Sequence, residues 1–213
     1  MDEGHLKAAT LTHVREATGR RRKPIVTAEF SLGSSGVRAD LAVFDEMTIG
    51  FEIKSARDTL KRLPAQMMAY SRYFDHVIAI VAPQHLRNIT YDTLHGASLW
   101  TFDAEGTLSV VHDGSPNAVD PSALDDVLTQ AELRCGDYRA AMEARYGATS
   151  RQFWKTVSRR PISHEDLPLL SRFADRRAQA GRLAAEKEAW WADWLAAQPS
   201  QSSSVSSAAA GAL

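Results

Sequence analysis

Charged side chains set inside apolar runs place the strongest limit on how this chain can fold. Val37 to Phe44 reads Val-Arg-Ala-Asp-Leu-Ala-Val-Phe, and Ile49 to Ser55 reads Ile-Gly-Phe-Glu-Ile-Lys-Ser. Both runs have the make-up of buried strands, yet they carry Asp40, Glu52 and Lys54. Strand side chains alternate with period two, so Glu52 and Lys54 share a face. Burying an unpaired charge is costly. These groups must be compensated by one another, by a metal, or by exposure at a strand end where a site opens.

The flanking sequence sets those runs in a sheet. Leu6, Ala9 or Thr10, Val14 and Ala17 recur at near-helical spacing, so Glu3 to about Thr18 is a first amphipathic helix, stopped by Gly19. After Pro24, Ile25 to Leu32 reads as a strand with Glu29 inside it, and Gly33-Ser34-Ser35-Gly36 turns the chain back into 37–44. A second turn at 45–48 completes a meander that brings Glu29, Asp40 and Glu52 within reach of one another. Glu29 on ordinary strand alternation also reads as a plain surface residue. Leu60 to Tyr73 is helical and starts near Leu63, because Pro64 is tolerated only in a first turn. Gln66 and Tyr70, four apart, lie on one face of it. Val77 to Ala82 is apolar throughout, the pattern of a strand buried on both sides and parallel to 49–55.

Asp40, then Glu52-Ile53-Lys54, then Gln66-Met67-Met68-Ala69-Tyr70 resembles the D…ExK and QxxxY signature of the PD-(D/E)XK nuclease superfamily, in particular its small stand-alone bacterial and phage branch. The resemblance spans roughly 28–82. It implies a restriction-endonuclease-like α/β core with a mixed central sheet flanked by helices, and a metal-dependent phosphodiesterase acting on DNA. An RNA nuclease of the same fold, or an inactive nucleic-acid or partner-binding relative, are the alternatives. On this resemblance Asp40, Glu52, Lys54 and Gln66 are catalytic. Asp40, Glu52 and the backbone of Ile53 hold Mg²⁺ or Mn²⁺, and Tyr70 helps orient nucleic acid. Glu29, brought near by the meander, is a further metal ligand, because three converging carboxylates repel unless a divalent cation sits among them. Hard oxygen donors suit such ions, and a lysine beside them can orient water or offset charge on a phosphate. Arg62, Lys61, Arg21 and Arg22 are the expected phosphate contacts, although each also reads as a solvated surface cation.

The rest of the chain is less specific. In 213 residues there is one cysteine, Cys135, which excludes an intramolecular disulfide and a cysteine-based zinc site. A net charge of −1 gives no overall basic signature, so any nucleic-acid contact must come from local patches such as Arg20–Lys23. There is no membrane-length apolar run and no signal-peptide pattern at the start, hence the expectation of a cytoplasmic protein. No GxxxxGK[ST] loop or HExxH pair offers a competing site. Strands are expected at 98–102 and 108–112, ending a core at 1–115. A helical region follows over 116–198, with one helix stopping at Gly147 and another around Phe153–Val157. Its last helix carries Trp190, Trp191 and Trp194, which read more simply as a packing ridge than as base-stacking groups. This region could bind nucleic acid, form a homodimer or gate the site. Residues 199–213, rich in Ser and Ala, read as a disordered tail.

Overall fold

The computed structural model describes residues 1–19, 23–134, 136–171, 187–188 and 190–191. Arg21, Arg22, Cys135, Trp194 and the tail 199–213 lie outside the described residues, as does most of the expected last helix. Met1–Ala174 forms one compact unit and Asp175–Leu213 a second.

The first unit is built on a six-stranded mixed sheet in the order β1-β2-β3-β4-β5-β6. Its strands are β1 (Ile25–Ser31), β2 (Arg38–Phe44), β3 (Thr48–Lys54), β4 (His76–Val81), β5 (Ser98–Phe102) and β6 (Leu108–His112). The first three form the antiparallel meander read from the turns; β3, β4 and β5 are parallel, and β6 returns antiparallel. Helix α1 (Glu3–Ala17) begins at Asp2, whose carboxylate caps the His5 N–H. Helix α2 (Leu63–Tyr70) makes the crossover from β3 to β4 with Pro64 in its first turn, where the missing N–H costs nothing.

Two hydrophobic clusters pack on the sheet. Phe30, Phe44, Met67, Tyr70, Phe74, Val77, Ala79 and Val81 belong to the cluster under α2, whereas Leu6, Leu11, Val26, Leu41, Phe51, Ile53, Ile78 and Ile80 belong to the cluster under α1. Alternate residues of β4 therefore enter opposite cores, as its unbroken apolar run requires. A Cβ on Gly50 would meet the Phe74 ring at 2.4 Å. Since Phe74 is fully buried, Gly50→Ala is expected to destabilise by about 1–3 kcal/mol through overpacking, read as an earlier urea midpoint at unchanged slope.

Helices α3 (Pro121–Val127), α4 (Gln130–Leu133) and α5 (Tyr138–Val157) follow. The expected stop at Gly147 does not occur, and α5 runs through it as one helix of 20 residues. Glycine within a helix costs only about 1 kcal/mol, and packing on both sides of it outweighs that. Met142 and Tyr146 enter the α2-side cluster, while Phe153, Trp154 and Val157 enter the α1-side cluster. Packed against β1, α5 also bonds to the start of that strand. The Val26 N–H donates to Ser150 Oγ at 3.0 Å, and Trp154 Nε1 donates to the Pro24 carbonyl at 2.8 Å. Helices α3, α4 and α5 therefore belong to the same compact unit as the sheet. No helix among the described residues is long and apolar enough to cross a membrane.

Candidate functional site

Regular alternation along the first two strands reverses where the acidic residues stand. Val26 and Ala28 pack with the α1-side cluster, but Phe30 and Leu32 pack with the other, although all four have even numbers. In β2, Leu41 and Val43 belong to the α1 side and Ala39 to the α2 side. The switch falls at Glu29 and Asp40, opposite one another between the pairs Ala28↔Leu41 and Phe30↔Ala39. Glu29 makes the turn with φ of 59°, a left-handed backbone that is uncommon for a residue with a Cβ. One step beyond the pair Leu41↔Phe51, Asp40 in turn faces Glu52. The row of three carboxylates expected from the meander is present, with its first two members turned toward the gap between α1 and the sheet.

The carboxylates are held by different partners. Glu52, 2% exposed, accepts from Lys54 Nζ, from Gln66 Nε2 at 2.5 Å and from the Tyr70 hydroxyl. Tyr70 reaches the Arg38 carbonyl as well, at 2.9 Å. Asp40 Oδ2 accepts the Ile53 N–H at 2.7 Å, so β2 and β3 are joined beyond their last ladder pair. Glu29 pairs with Arg38 at 2.6 Å and with Lys7 at 2.5 Å. Lys7, almost fully buried, also meets Glu3 at 2.7 Å and lies 3.5 Å from Asp40. Ligand oxygens of Glu3, Glu29 and Asp40 lie within 4.8 Å of one another. Among the described residues the tight carboxylate set thus includes Glu3 in place of Glu52.

Burial and the neighbouring Glu52 charge push the Asp40 carboxyl up to about 7, against the lowering effects of Lys7 and the Ile53 N–H. Lys7 ends above the ordinary lysine range: burial opposes its charge, but Asp40 and the hydrogen bonds to Glu29 and Glu3 outweigh it. Burial and then Glu52 hold the Tyr70 hydroxyl well above its usual value, so it stays a donor.

A cavity of about 700 Å³ opens onto this network, lined by Asp40, Glu52, Ile53, Lys54, Gln66 and Arg62 among others. The connector before α2 is fixed at its start. Asp58 accepts from both the N–H and the hydroxyl of Ser55, at 2.8 and 2.5 Å, and Gln84 donates to the Ala56 carbonyl at 2.8 Å. Arg62 is exposed on the cavity rim, while Lys61 is exposed but outside its lining. Tyr70, expected among the nucleic-acid contacts, is fully buried. Its hydroxyl donates to Glu52, and it is not among the residues lining the cavity. Tyr70→Phe is expected to cost about 1–3 kcal/mol by leaving the buried Glu52 carboxylate short of a donor, measured by chemical denaturation. Sequence reading missed Lys7 and Glu3. The available signal was a lysine in register with Leu11 and Val14 on the apolar stripe of the first helix.

Fold and site together define an α/β protein with a mixed six-stranded sheet, in which a partly buried carboxylate–lysine network opens into a polar cavity beside the first turn of α2. The chain belongs to the family of bacteriophage P4 protein cII, whose model matches residues 1–136. That span holds all six strands and every residue of the network, and α5 lies beyond it. Among solved structures the chain is similar to SPO1766, a protein of unknown function from Silicibacter pomeroyi. The TM-score is 0.50 at 14% identity, covering 75% of this chain and 93% of that one, a likeness of fold alone. No curated protein matches the chain.

Proposed function

We propose that this protein is a divalent-metal-dependent nuclease whose substrate is DNA. The observation that carries the reading is the half-buried Asp40 beside the buried pair Glu52 and Lys54, facing one cavity from two adjacent strands. Its donor set suits the ion. The oxygens are hard ligands, and a cation beside Asp40 would favour the charged form that burial first and Glu52 second oppose. Asp40 and Glu52, with the backbone of Ile53, would hold Mg²⁺ or Mn²⁺. Such an ion supplies Lewis-acid polarisation of a phosphodiester and a bound water of lowered pKa.

The chain's own residues provide the rest. Lys54 places a positive charge beside Glu52, where it can orient water or offset charge developing on a phosphate. Gln66 and Tyr70 fix the Glu52 carboxylate from one face of α2, which restricts its rotamers before any ligand arrives. Arg62 on the rim and the exposed Lys61 offer phosphate contacts that position without reading bases. Arg38 is engaged by Glu29, so the rim beside it is already neutralised.

The test is a panel of matched linear, circular, single-stranded and duplex DNA, and RNA, with Mg²⁺, Mn²⁺ or EDTA, comparing wild type with Glu52→Gln. Metal-dependent cutting of DNA that the substitution removes is the expected result. Cutting confined to RNA would move the substrate class, and no cutting in any lane would overturn the reading.

A further inference from the structure

We propose that Lys7 is the resident cation of this site: its ammonium stands where a second divalent ion would otherwise sit, among Glu3, Glu29 and Asp40, so that the centre loads one metal ion and not two. The inference rests on the reading of Asp40 and Glu52 as ligands of the first ion.

The three carboxylates come from three separate elements, α1, β1 and β2, and their ligand atoms approach within 4.8 Å. Three anions so close repel one another unless a cation lies among them. Lys7 is that cation. Its Nζ lies 2.5 Å from Glu29, 2.7 Å from Glu3 and 3.5 Å from Asp40, and its side chain is 7% exposed. An ammonium has three protons to donate and here faces three carboxylates. Burying a lysine is unfavourable without such compensation, so its placement among them is specific to the cluster and is no accident of an amphipathic helix. The left-handed backbone at Glu29 fits the same account, since it turns that carboxylate to where Lys7 and Arg38 both reach it.

Two consequences follow from charge. A divalent ion entering this set would face the ammonium at contact range, and like charges exclude each other there. Asp40, shared by both halves, feels Lys7 on one side and Glu52 on the other, so Lys7 also limits how much negative charge the first ion meets. Lys7 is in this sense a positioning residue: it touches no substrate and acts through Asp40.

The experiment counts bound Mn²⁺ on the full chain by equilibrium dialysis and electron paramagnetic resonance, for wild type, Lys7→Met and Lys7→Gln, with folding of each checked by circular dichroism. The expected result is one ion on wild type and two on each Lys7 variant, with the second lost again on adding Glu29→Gln. Mn²⁺ should also raise the melting temperature of Lys7→Met more than that of wild type, because the second ion replaces the missing ammonium. Two ions on wild type would overturn the proposal even if neither variant folds. One ion on wild type and on both variants would overturn it while leaving the metal centre standing. No ion on wild type would overturn the centre itself, and this proposal with it.

Discussion

Lys54→Met is expected to lower cleavage by about 10²–10⁴-fold and to cost the metal-free protein about 3–5 kcal/mol. Both effects come from one contact. The Lys54 ammonium is bonded to the Glu52 carboxylate, and both side chains are almost fully buried. Methionine keeps the length and apolar volume of the stem, so packing changes little, but among the described residues the carboxylate loses its one charged partner and keeps Gln66 and Tyr70. Those neutral donors hold its geometry and leave its charge uncompensated. Added Mn²⁺ should therefore recover part of the lost stability without recovering the rate. Urea denaturation with and without Mn²⁺, beside single-turnover cleavage, separates the two. Normal turnover by the variant would remove Lys54 from the chemistry.

Asp40→Asn should do the opposite to stability. In the metal-free protein the Asp40 carboxyl is raised from 3.8 to about 7, with burial first and Glu52 second. Between those values the native chain holds a proton that the unfolded chain has released. The stability this contributes is complete below about pH 4 and is lost as pH rises through about 7. Wild type in EDTA should thus lose on the order of 4 kcal/mol from this group between pH 4 and 8. Asparagine does not titrate, and its amide oxygen can still accept the Ile53 N–H. The substitution is expected to flatten that part of the profile and to leave the variant the more stable protein at pH 8 in EDTA, while abolishing cleavage. Saturating Mn²⁺ should reverse the order, since only wild type gains from binding. Equal pH profiles for the two proteins would show that Asp40 is not held under charge stress.

The site residues that were legible in the sequence are those whose strangeness is local. Asp40, Glu52 and Lys54 stand out because apolar neighbours surround them within their own strands, and Gln66 and Tyr70 because helix spacing puts them on one face. The meander, the crossover to β4 and the start of α2 at Leu63 were equally accessible, since turn residues and Pro64 mark them. What escaped depends on contacts distant in sequence. Nothing in Ala28-Glu29-Phe30 announces a left-handed residue; Glu29 adopts it where Lys7 and Arg38 arrive from other elements. Strict alternation therefore put the Glu29 side chain in a regular ladder that reverses at that point. Helix spacing fixes the face that Tyr70 shares with Gln66 but not its depth, and the full burial of Tyr70 depends on contacts from outside its helix. Gly147 looked like a stop because glycine commonly ends helices, but two hydrophobic clusters hold α5 on both sides of it.

Anomalous diffraction from crystals of the full chain soaked in Mn²⁺, wild type beside Asp40→Asn, locates the proposed ion. One anomalous peak is expected between the Asp40 and Glu52 carboxylates of wild type and none in the variant. A peak elsewhere, or no peak in wild type at Mn²⁺ concentrations that saturate cleavage, would contradict it.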